Sequence, residues 1–169
     1  LEQHKNLKVI ELELERYNII SDYIPEKIDI FYHLAWEGTR VPLRDNEGVQ
    51  KKNYDASIYI MLSAIKLEAK VFIGSGSQAE YGRCTGKITE GYSPNPITEY
   101  GKAKLKSYYS LSNLAKENNI KFIWTRIFSV YGRYDFEGTL VMSALKKLIR
   151  GEDLQLTECK QSWDFIHVK

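Results

Sequence analysis

Tyr100 and Lys104 are the two residues whose types and spacing point most directly to chemistry. They stand four residues apart in a stretch of helical character, which places both side chains on one helix face. An ammonium beside a phenol favours the phenolate and would bring the tyrosine pKa towards neutral pH, where a general acid/base works best. The spacing alone is not specific, because Tyr23 and Lys27 share it around Pro25, which argues against a helix interior there.

The elements that must position this pair alternate between strands and helices. Strands are predicted where β-branched and aromatic residues cluster or alternate with acidic ones, at 9–14, 29–35, 71–74 and 121–128. Helices are predicted where apolar residues recur at three- and four-residue steps, at 17–23, 53–67, 98–118 and 140–150. This order predicts βαβ units, a parallel sheet and a ligand crevice at the carboxyl ends of its strands. The stretch 82–96 is expected to be a long loop beside that crevice.

Composition excludes several classes of function. The 169 residues include 24 basic and 22 acidic side chains spread along the chain, which gives no footprint for nucleic acid or an anionic membrane. No apolar run approaches the roughly 20 residues that span a bilayer. Cys84 and Cys159 lack metal-ligand spacing, so we expect free thiols, no metal site and a cytoplasmic protein. One compact unit is expected, since no linker-like segment divides the chain.

Several segments, in order along the chain, resemble the motifs of the NAD-dependent epimerase/dehydratase group within the extended short-chain dehydrogenase/reductase family. The matching segments are His33-Leu34-Ala35-Trp36, Asn53-Tyr54-Asp55-Ala56-Ser57, 72–82, Tyr100 with Lys104, Arg126-Ile127-Phe128-Ser129-Val130-Tyr131-Gly132 and 163–168. Segment 72–82 resembles the strand that ends in a catalytic Ser or Thr, and Tyr81-Gly82 sets the register so that Ser77 takes that place. Two positions depart from the family pattern: Trp36 replaces a small residue and Ser129 replaces an Asn.

The resemblance implies roles for individual residues. Ser77 would hold the reacting oxygen, Tyr100 would transfer its proton, and Lys104 would lower the Tyr100 pKa and bind the nicotinamide ribose. The cofactor would be NAD or NADP, in contact with Glu13, Leu14, Ala35, Trp36, Asn53, Ser75, Tyr100, Lys104 and Phe128. The substrate would be a nucleotide-linked sugar, in contact with Ser77 and Ser129. A homodimer is the oligomeric state that the resemblance implies.

The residues after Ser77 narrow the expected reaction. Family members that eliminate water to make 4-keto-6-deoxy sugars resemble Thr-Asp-Glu at the positions of Ser77, Gln78 and Ala79. Without those two carboxyl groups, epimerisation or reduction of a keto sugar is predicted instead. The alternative is a non-catalytic nucleotide-binding module that keeps the fold.

The fold class predicted is α/β, a Rossmann-like doubly wound parallel sheet. The Gly-rich turn that carries a cofactor pyrophosphate in the family is not found in the sequence. Residues 1–169 are therefore expected to be a partial NAD(P)-binding domain that lacks the first βαβ half-unit and most of the substrate lobe, with 133–169 leading into that lobe. The strand end that would distinguish NAD from NADP falls outside such a piece.

Overall fold

The structure is a computed structural model that describes residues 6–160 and 162–169. The chain divides into two compact units, the first ending at Arg126 and the second running from Ile127 to Lys169. This division differs from the single unit expected from composition. A sequence without a Pro/Gly-rich linker can still divide where few contacts cross a short strand connection.

The first unit alternates strands with helices around one sheet. Strand β1 is Ile30–His33, helix α1 is Glu47–Lys66, strand β2 is Val71–Ser77, helix α2 is Glu99–Glu117 and strand β3 is Lys121–Ile127. The strands lie in the order β1-β2-β3, and β1 runs parallel to β2. The predicted α/β alternation is confirmed. The carboxyl end of β2 belongs to the sheet edge where the sequence predicts a ligand crevice.

Both long helices begin at a side-chain cap. The Thr98 side chain accepts a hydrogen bond from the Gly101 N–H at 3.1 Å, and the Asn46 side chain accepts one from the Val49 N–H at 3.0 Å. Helix α2 therefore begins beside Thr98, as the sequence predicted. Helix α1 begins before the predicted residue 53. The sequence did not reveal this earlier start, because the first two turns are polar and carry no apolar periodicity.

The core lies between the sheet and the two helices. Each strand contributes a phenylalanine ring, and Phe72 in the middle strand lies 5.8 Å from Phe31 and 6.0 Å from Phe122 between ring centroids. Met61 from α1 and Leu111 from α2 are fully buried against this row of rings. Burying such side chains provides the main stabilising term of the unit.

The predicted strand over residues 9–14 is wrong. Residues 7–13 form no regular element, and Leu14–Tyr23 form a 3-10 helix that replaces the short α-helix predicted over 17–23. This helix packs on α1, where the Ser63 hydroxyl donates to the Tyr17 carbonyl at 3.4 Å. An alternating pattern also suits a segment that lies across a helix with one side half-buried, so the pattern could not identify a strand here.

The two ends of the loop that follows β2 meet at Gly82 and Asn95, which we call the neck of the loop. A Cβ atom on Gly82 would lie 1.9 Å from the Asn95 carbonyl oxygen, and Gly82 has a φ of +72°, which favours glycine. Residues 82–98 contain no helix or strand, in agreement with the predicted loop. The neck holds the two ends of the loop together.

The second unit contains a small sheet and one helix. Strand β4, Ser129–Tyr131, pairs in parallel with strand β5, Phe165–His167, and helix α3 spans Leu140–Ile149. The Trp163 indole N–H donates to the Ser129 hydroxyl within this unit. In the described part of the chain, no helix combines the length and apolar character needed to cross a membrane.

Candidate active site

Ser77 ends β2 and caps the next turn. Its hydroxyl accepts a hydrogen bond from the Ala79 N–H at 3.2 Å, and the 3-10 helix Gln78–Glu80 follows. The backbone N–H of Ser77 donates to the Glu80 carboxylate at 2.8 Å, which completes a capping box. The Ser77 side chain is thereby fixed at the carboxyl end of the middle strand.

Glu80 is a fully buried carboxylate beneath this turn. Arg126 forms an ion pair with it at 2.7 Å, and the Trp124 indole N–H donates to it at 3.0 Å. Trp124 in turn lies across β2, where a Cβ on Gly76 would meet its indole nitrogen at 2.3 Å. A buried charge is tolerated only when it is paired and hydrogen-bonded, and this network satisfies the Glu80 carboxylate.

Tyr100 lies in the first turn of α2, close to the Ser77 turn. The start of α2 approaches that turn so closely that a Cβ on Gly101 would lie 2.4 Å from the Ala79 carbonyl oxygen. The Tyr100 side chain is 8% exposed, and its hydroxyl has the Ser77 side chain as a hydrogen-bonding partner. Helix α2 thus brings the phenol to the serine that the sequence selected.

Lys104 lies one turn further along α2 and is only 2% exposed. Its ammonium donates to the Ser75 carbonyl at 2.6 Å, with the Ser75 hydroxyl at 3.5 Å. The Trp36 indole covers the same ammonium, with Nζ 3.7 Å from the ring centroid, and its edge meets the Tyr100 ring at a centroid distance of 6.0 Å. Ser75, Ser77, Tyr100, Lys104 and Trp36 therefore form one group.

Residues 36–46, which we call the cover segment, lie over this group and are anchored to α1. The Asn53 side chain accepts from the Glu37 N–H and donates to the Glu37 carbonyl, both at 2.8 Å. The Gln50 side chain accepts from the Trp36 indole N–H at 2.9 Å and donates to the carbonyl of Gly38 at 2.9 Å. Asn53, predicted to bind the cofactor, has its amide committed to the backbone of the cover segment in this structure.

Burial changes the pKa values of the site. Desolvation lowers the pKa of Lys104 to about 7, although the Glu80 carboxylate acts in the opposite direction. Desolvation raises the pKa of Tyr100 above its usual value, against the lowering effects of Ser77 and of Arg44. The expectation that the Tyr100 pKa is lowered towards neutrality is thus wrong here. The loss of water around the phenol raises the pKa more than the Ser77 hydrogen bond and the Arg44 charge lower it.

His33, at the end of β1, is a buried core residue. Its Nε2 lies 2.9 Å from the Ser57 hydroxyl, and burial together with the charge of Lys104 lowers its pKa to about 4. Histidine is therefore neutral at physiological pH in this position. Its burial and its hydrogen bond with Ser57 give His33 a structural role.

Five other residues were named from the sequence as cofactor or substrate contacts. Ala35 lies two residues beyond β1 and is exposed, and Glu13 and Leu14 stand at the start of the 3-10 helix that packs on α1. Phe128 and Ser129 belong to the second unit, where Ser129 begins β4. Cofactor contact by these residues, and substrate contact by Ser129, stay predictions.

The sequence reasoning missed Glu80, Gln50 and Arg44. The pattern Ser77-x-x-Glu80 is a capping-box signature and could have identified Glu80 as the partner of the Ser77 N–H. Gln50 and Arg44 carry no such signal, because their contacts depend on how the cover segment folds. Arg44 places its guanidinium carbon 4.5 Å from the centroid of the Tyr100 ring.

A family model described as the NAD dependent epimerase/dehydratase family matches residues 1–169. The chain belongs to this family. No curated protein matches it. Among solved structures, it is similar to the UDP-glucose 4-epimerase of Thermotoga maritima, solved with UDP-glucose, at 25% identity and a TM-score of 0.83 over 98% of this chain and 57% of that one.

Two further solved structures share the fold of this family member. The UDP-N-acetylglucosamine 4-epimerase of Methanobrevibacter ruminantium M1 is 24% identical, with a TM-score of 0.85 over 98% of this chain and 55% of that chain. The UDP-glucuronic acid 4-epimerase of Bacillus cereus, solved with NAD and a fluorinated sugar nucleotide, is 20% identical, with a TM-score of 0.78 over 94% and 51%. The chain thus spans about half the length of these structures, and its predicted Rossmann-like fold is confirmed as a partial one.

Proposed function

We propose that the protein is an NAD(P)-dependent oxidoreductase or epimerase of nucleotide-linked sugars, with Tyr100 as its general acid/base. The observation that carries this proposal is a buried site in which Tyr100 has the Ser77 side chain as a hydrogen-bonding partner and the Lys104 ammonium lies 5.9 Å from the Tyr100 ring centroid. Family membership and neighbours solved with UDP-sugars and with NAD support the choice of substrate and cofactor.

The donor set suits the ribose of such a cofactor. The Ser75 hydroxyl and the Lys104 ammonium lie within 3.5 Å of each other and present donors that complement a vicinal diol. The Trp36 indole covers the same ammonium, so a bound ribose has to share Lys104 with Trp36 or displace it. We propose that Lys104, Ser75 and Tyr100 hold the ribose side of the cofactor.

Proton transfer is the task of this chain's own residues. When bound, the nicotinamide ring would accept a hydride from the carbinol carbon or return one to the carbonyl carbon. Oxidation of that carbon requires the Tyr100 phenolate, which takes the hydroxyl proton and becomes the phenol, and in reduction the phenol gives the proton back to the carbonyl oxygen. Ser77 hydrogen-bonds the reacting oxygen and keeps it within reach of Tyr100.

The carboxyl groups around the site favour epimerisation or keto-sugar reduction over elimination. Gln78 and Ala79, which follow Ser77, carry no carboxyl group. The next residue, Glu80, is fully buried and holds Arg126, Trp124 and the Ser77 backbone. A carboxylate committed in this way is not placed to act as the acid or base of a 4,6-elimination. The raised Tyr100 pKa keeps the phenol protonated at neutral pH, which is the form that a keto-sugar reduction consumes.

The test is the Tyr100→Phe variant of the protein, assayed with UDP-sugars for epimers and with a keto sugar and NAD(P)H for cofactor oxidation. We expect turnover to fall by about 100-fold or more, while the thermal midpoint changes little because the ring contacts remain. Tyr109→Phe, an exposed position on the same helix, serves as the matched control and should keep full turnover. Unchanged turnover in Tyr100→Phe would refute the assignment.

One observation favours a second candidate, a nucleotide-binding module without turnover. The Trp36 indole packs on the Lys104 ammonium, and family members of the pattern described above carry a small residue at that position. Calorimetric titration of the protein with NAD and with a UDP-sugar separates the two functions. Binding with no product from any substrate pair would favour the module.

A further inference from the structure

Two cations lie near the Tyr100 ring, and they differ in how they are placed. The Arg44 guanidinium carbon lies 4.5 Å from the ring centroid, whereas the Lys104 ammonium lies 5.9 Å from it. Lys104 is also committed elsewhere, since it donates to the Ser75 carbonyl and carries the Trp36 indole against it. Arg44 therefore makes the closer contact with the phenol ring.

The position of Arg44 is fixed by the fold of the cover segment. Its Nη1 donates to the Thr39 carbonyl at 2.9 Å, and its backbone N–H donates to the Arg40 carbonyl at 2.8 Å. The neighbouring Asp45 carboxylate accepts from the Glu99 N–H at 3.1 Å, which ties this part of the segment to the first turn of α2. These contacts hold the cover segment, and with it the Arg44 guanidinium, beside the helical turn that carries Tyr100.

We propose that Arg44 is a positioning residue for Tyr100, and that its guanidinium, stacked on the phenol ring, holds the ring towards Ser77 and favours the phenolate over the phenol. The contact between Arg44 and the Tyr100 ring is observed in the structure and does not depend on the function of Tyr100. Its meaning for catalysis rests on the proposed function of Tyr100 as the acid/base.

The charges around Tyr100 support this role for Arg44. Lys104 approaches the ring from its own helix and Arg44 from the cover segment, while the charge of Glu80 acts from the turn after β2. Glu80 opposes ionisation of the phenol, and its charge is balanced by the ion pair with Arg126. Because the Lys104 pKa lies at about 7, that side chain is partly neutral at physiological pH, whereas a guanidinium stays charged.

The experiment follows ionisation of Tyr100 without requiring turnover. The protein is labelled with 3-fluorotyrosine, whose phenol is more acidic, so that the titration falls in a pH range where the fold persists. Fluorine NMR then reports on the 12 tyrosines, and the Tyr100→Phe variant assigns the Tyr100 signal. We compare the wild type with Arg44→Gln and Arg44→Lys.

We expect Arg44→Gln to raise the Tyr100 titration midpoint by about half a pH unit or more, because the phenolate loses a stacked cation. Arg44→Lys keeps a positive charge and should restore part of that shift. The matched control is Arg133→Gln, since Arg133 stacks at 4.8 Å on the exposed Tyr134, and it should leave Tyr100 unchanged. An unshifted midpoint in Arg44→Gln overturns the proposal, as does a shift of equal size in Arg44→Lys.

The two proposals fail in different ways. If Tyr100→Phe keeps full turnover while Arg44→Gln shifts the titration, the acid/base assignment fails and the Arg44 contact stands. If Tyr100→Phe loses turnover while Arg44→Gln leaves the titration unchanged, Tyr100 keeps its role and Arg44 has none in its ionisation. A shift in both the titration and the pH profile of turnover supports both.

Discussion

A carboxylate buried beneath a hydroxyl is the residue-level basis of the site. Glu80 accepts from the backbone of Ser77 and pairs with Arg126, so that the position of the Ser77 side chain depends on a charge with no exposure to water. Breaking such a pair is destabilising, since removal of one partner leaves the other charge shielded from water and unpaired.

The Glu80→Gln variant tests this dependence. We expect it to lower the free energy of unfolding by about 3 kcal/mol, because the Arg126 guanidinium, whose side chain is 15% exposed, loses its counter-charge. Urea unfolding followed by far-UV circular dichroism measures the loss. Glu68→Gln, which breaks the exposed ion pair with Lys27, is the control and should cost much less. Equal losses in the two variants would contradict the role of Glu80.

Single residues also mark the limit of what the sequence could predict. Ser77, Tyr100 and Lys104 were found together because helix periodicity and motif order place them without knowledge of the fold. The contacts of Trp36 and Arg44 were not, because they arise only after residues 36–46 have folded over α2. The same lack of long-range information explains why the direction of the Tyr100 pKa shift was predicted wrongly, since the four-residue spacing of Tyr100 and Lys104 does not reveal how deeply they are buried.

At the level of elements, helix α1 does two tasks along one buried face. Met61 and its apolar neighbours pack on the sheet, while Gln50 and Asn53 near the start of the helix bind the backbone of the cover segment. These two polar side chains are each 2% exposed. A helix that looked like a core element in the sequence therefore also positions Trp36 and Arg44 over the site.

The Asn53→Ala variant isolates this second task. Loss of the amide leaves the Glu37 N–H without its side-chain acceptor, so we expect amide hydrogen exchange at Glu37 to become about tenfold faster or more. Exchange followed by NMR measures it, with Asn113→Ala, an exposed position on α2, as the control. The Tyr100 side chain should become more accessible in the same variant. Unaltered exchange at Glu37 would show that the cover segment holds its place without Asn53.

Elements were also where the sequence misled. The alternation of strands and helices over residues 29–127 and the helix over 140–150 were predicted because long periodic segments carry a strong signal, whereas the three-residue strands β4 and β5 were not predicted. The strand over residues 9–14 was predicted wrongly, since six alternating residues give a strand pattern whether or not a partner strand lies beside them. The short helix predicted over 17–23 is present as the 3-10 helix Leu14–Tyr23, whose Tyr17 and Ile20 pack on the core.

For the molecule as a whole, two buried bases give stability a dependence on pH. The His33 pKa is lowered to about 4, so the unfolded chain binds this proton more tightly and stability falls as the pH drops from about 6.5 towards 4. The Lys104 pKa is lowered to about 7 from 10.5, so the cost of burying its charge is fully present below pH 7 and is relieved as the pH rises towards 10.5. Both groups make the fold more stable at higher pH, each in its own window.

Unfolding free energies at several pH values between 4 and 10 test this profile. We expect His33→Gln to flatten the acidic window, with a difference from wild type that changes by about 3 kcal/mol across it. Lys104→Met, a substitution of similar length, should flatten the alkaline window and also narrow the acidic one, because the Lys104 charge helps to lower the His33 pKa. Parallel curves for wild type and variants would show that the two groups are not desolvated as the structure has them.

The closed neck between Gly82 and Asn95 has a consequence for how related chains can vary. Because the two ends of this loop meet, the residues between them can increase or decrease in number without moving the Ser77 turn or the start of α2. Homologous chains should therefore tolerate insertions here and keep glycine at the neck. The loop is therefore a place where the length and the sequence of the chain can change while Ser77 and Tyr100 stay in position.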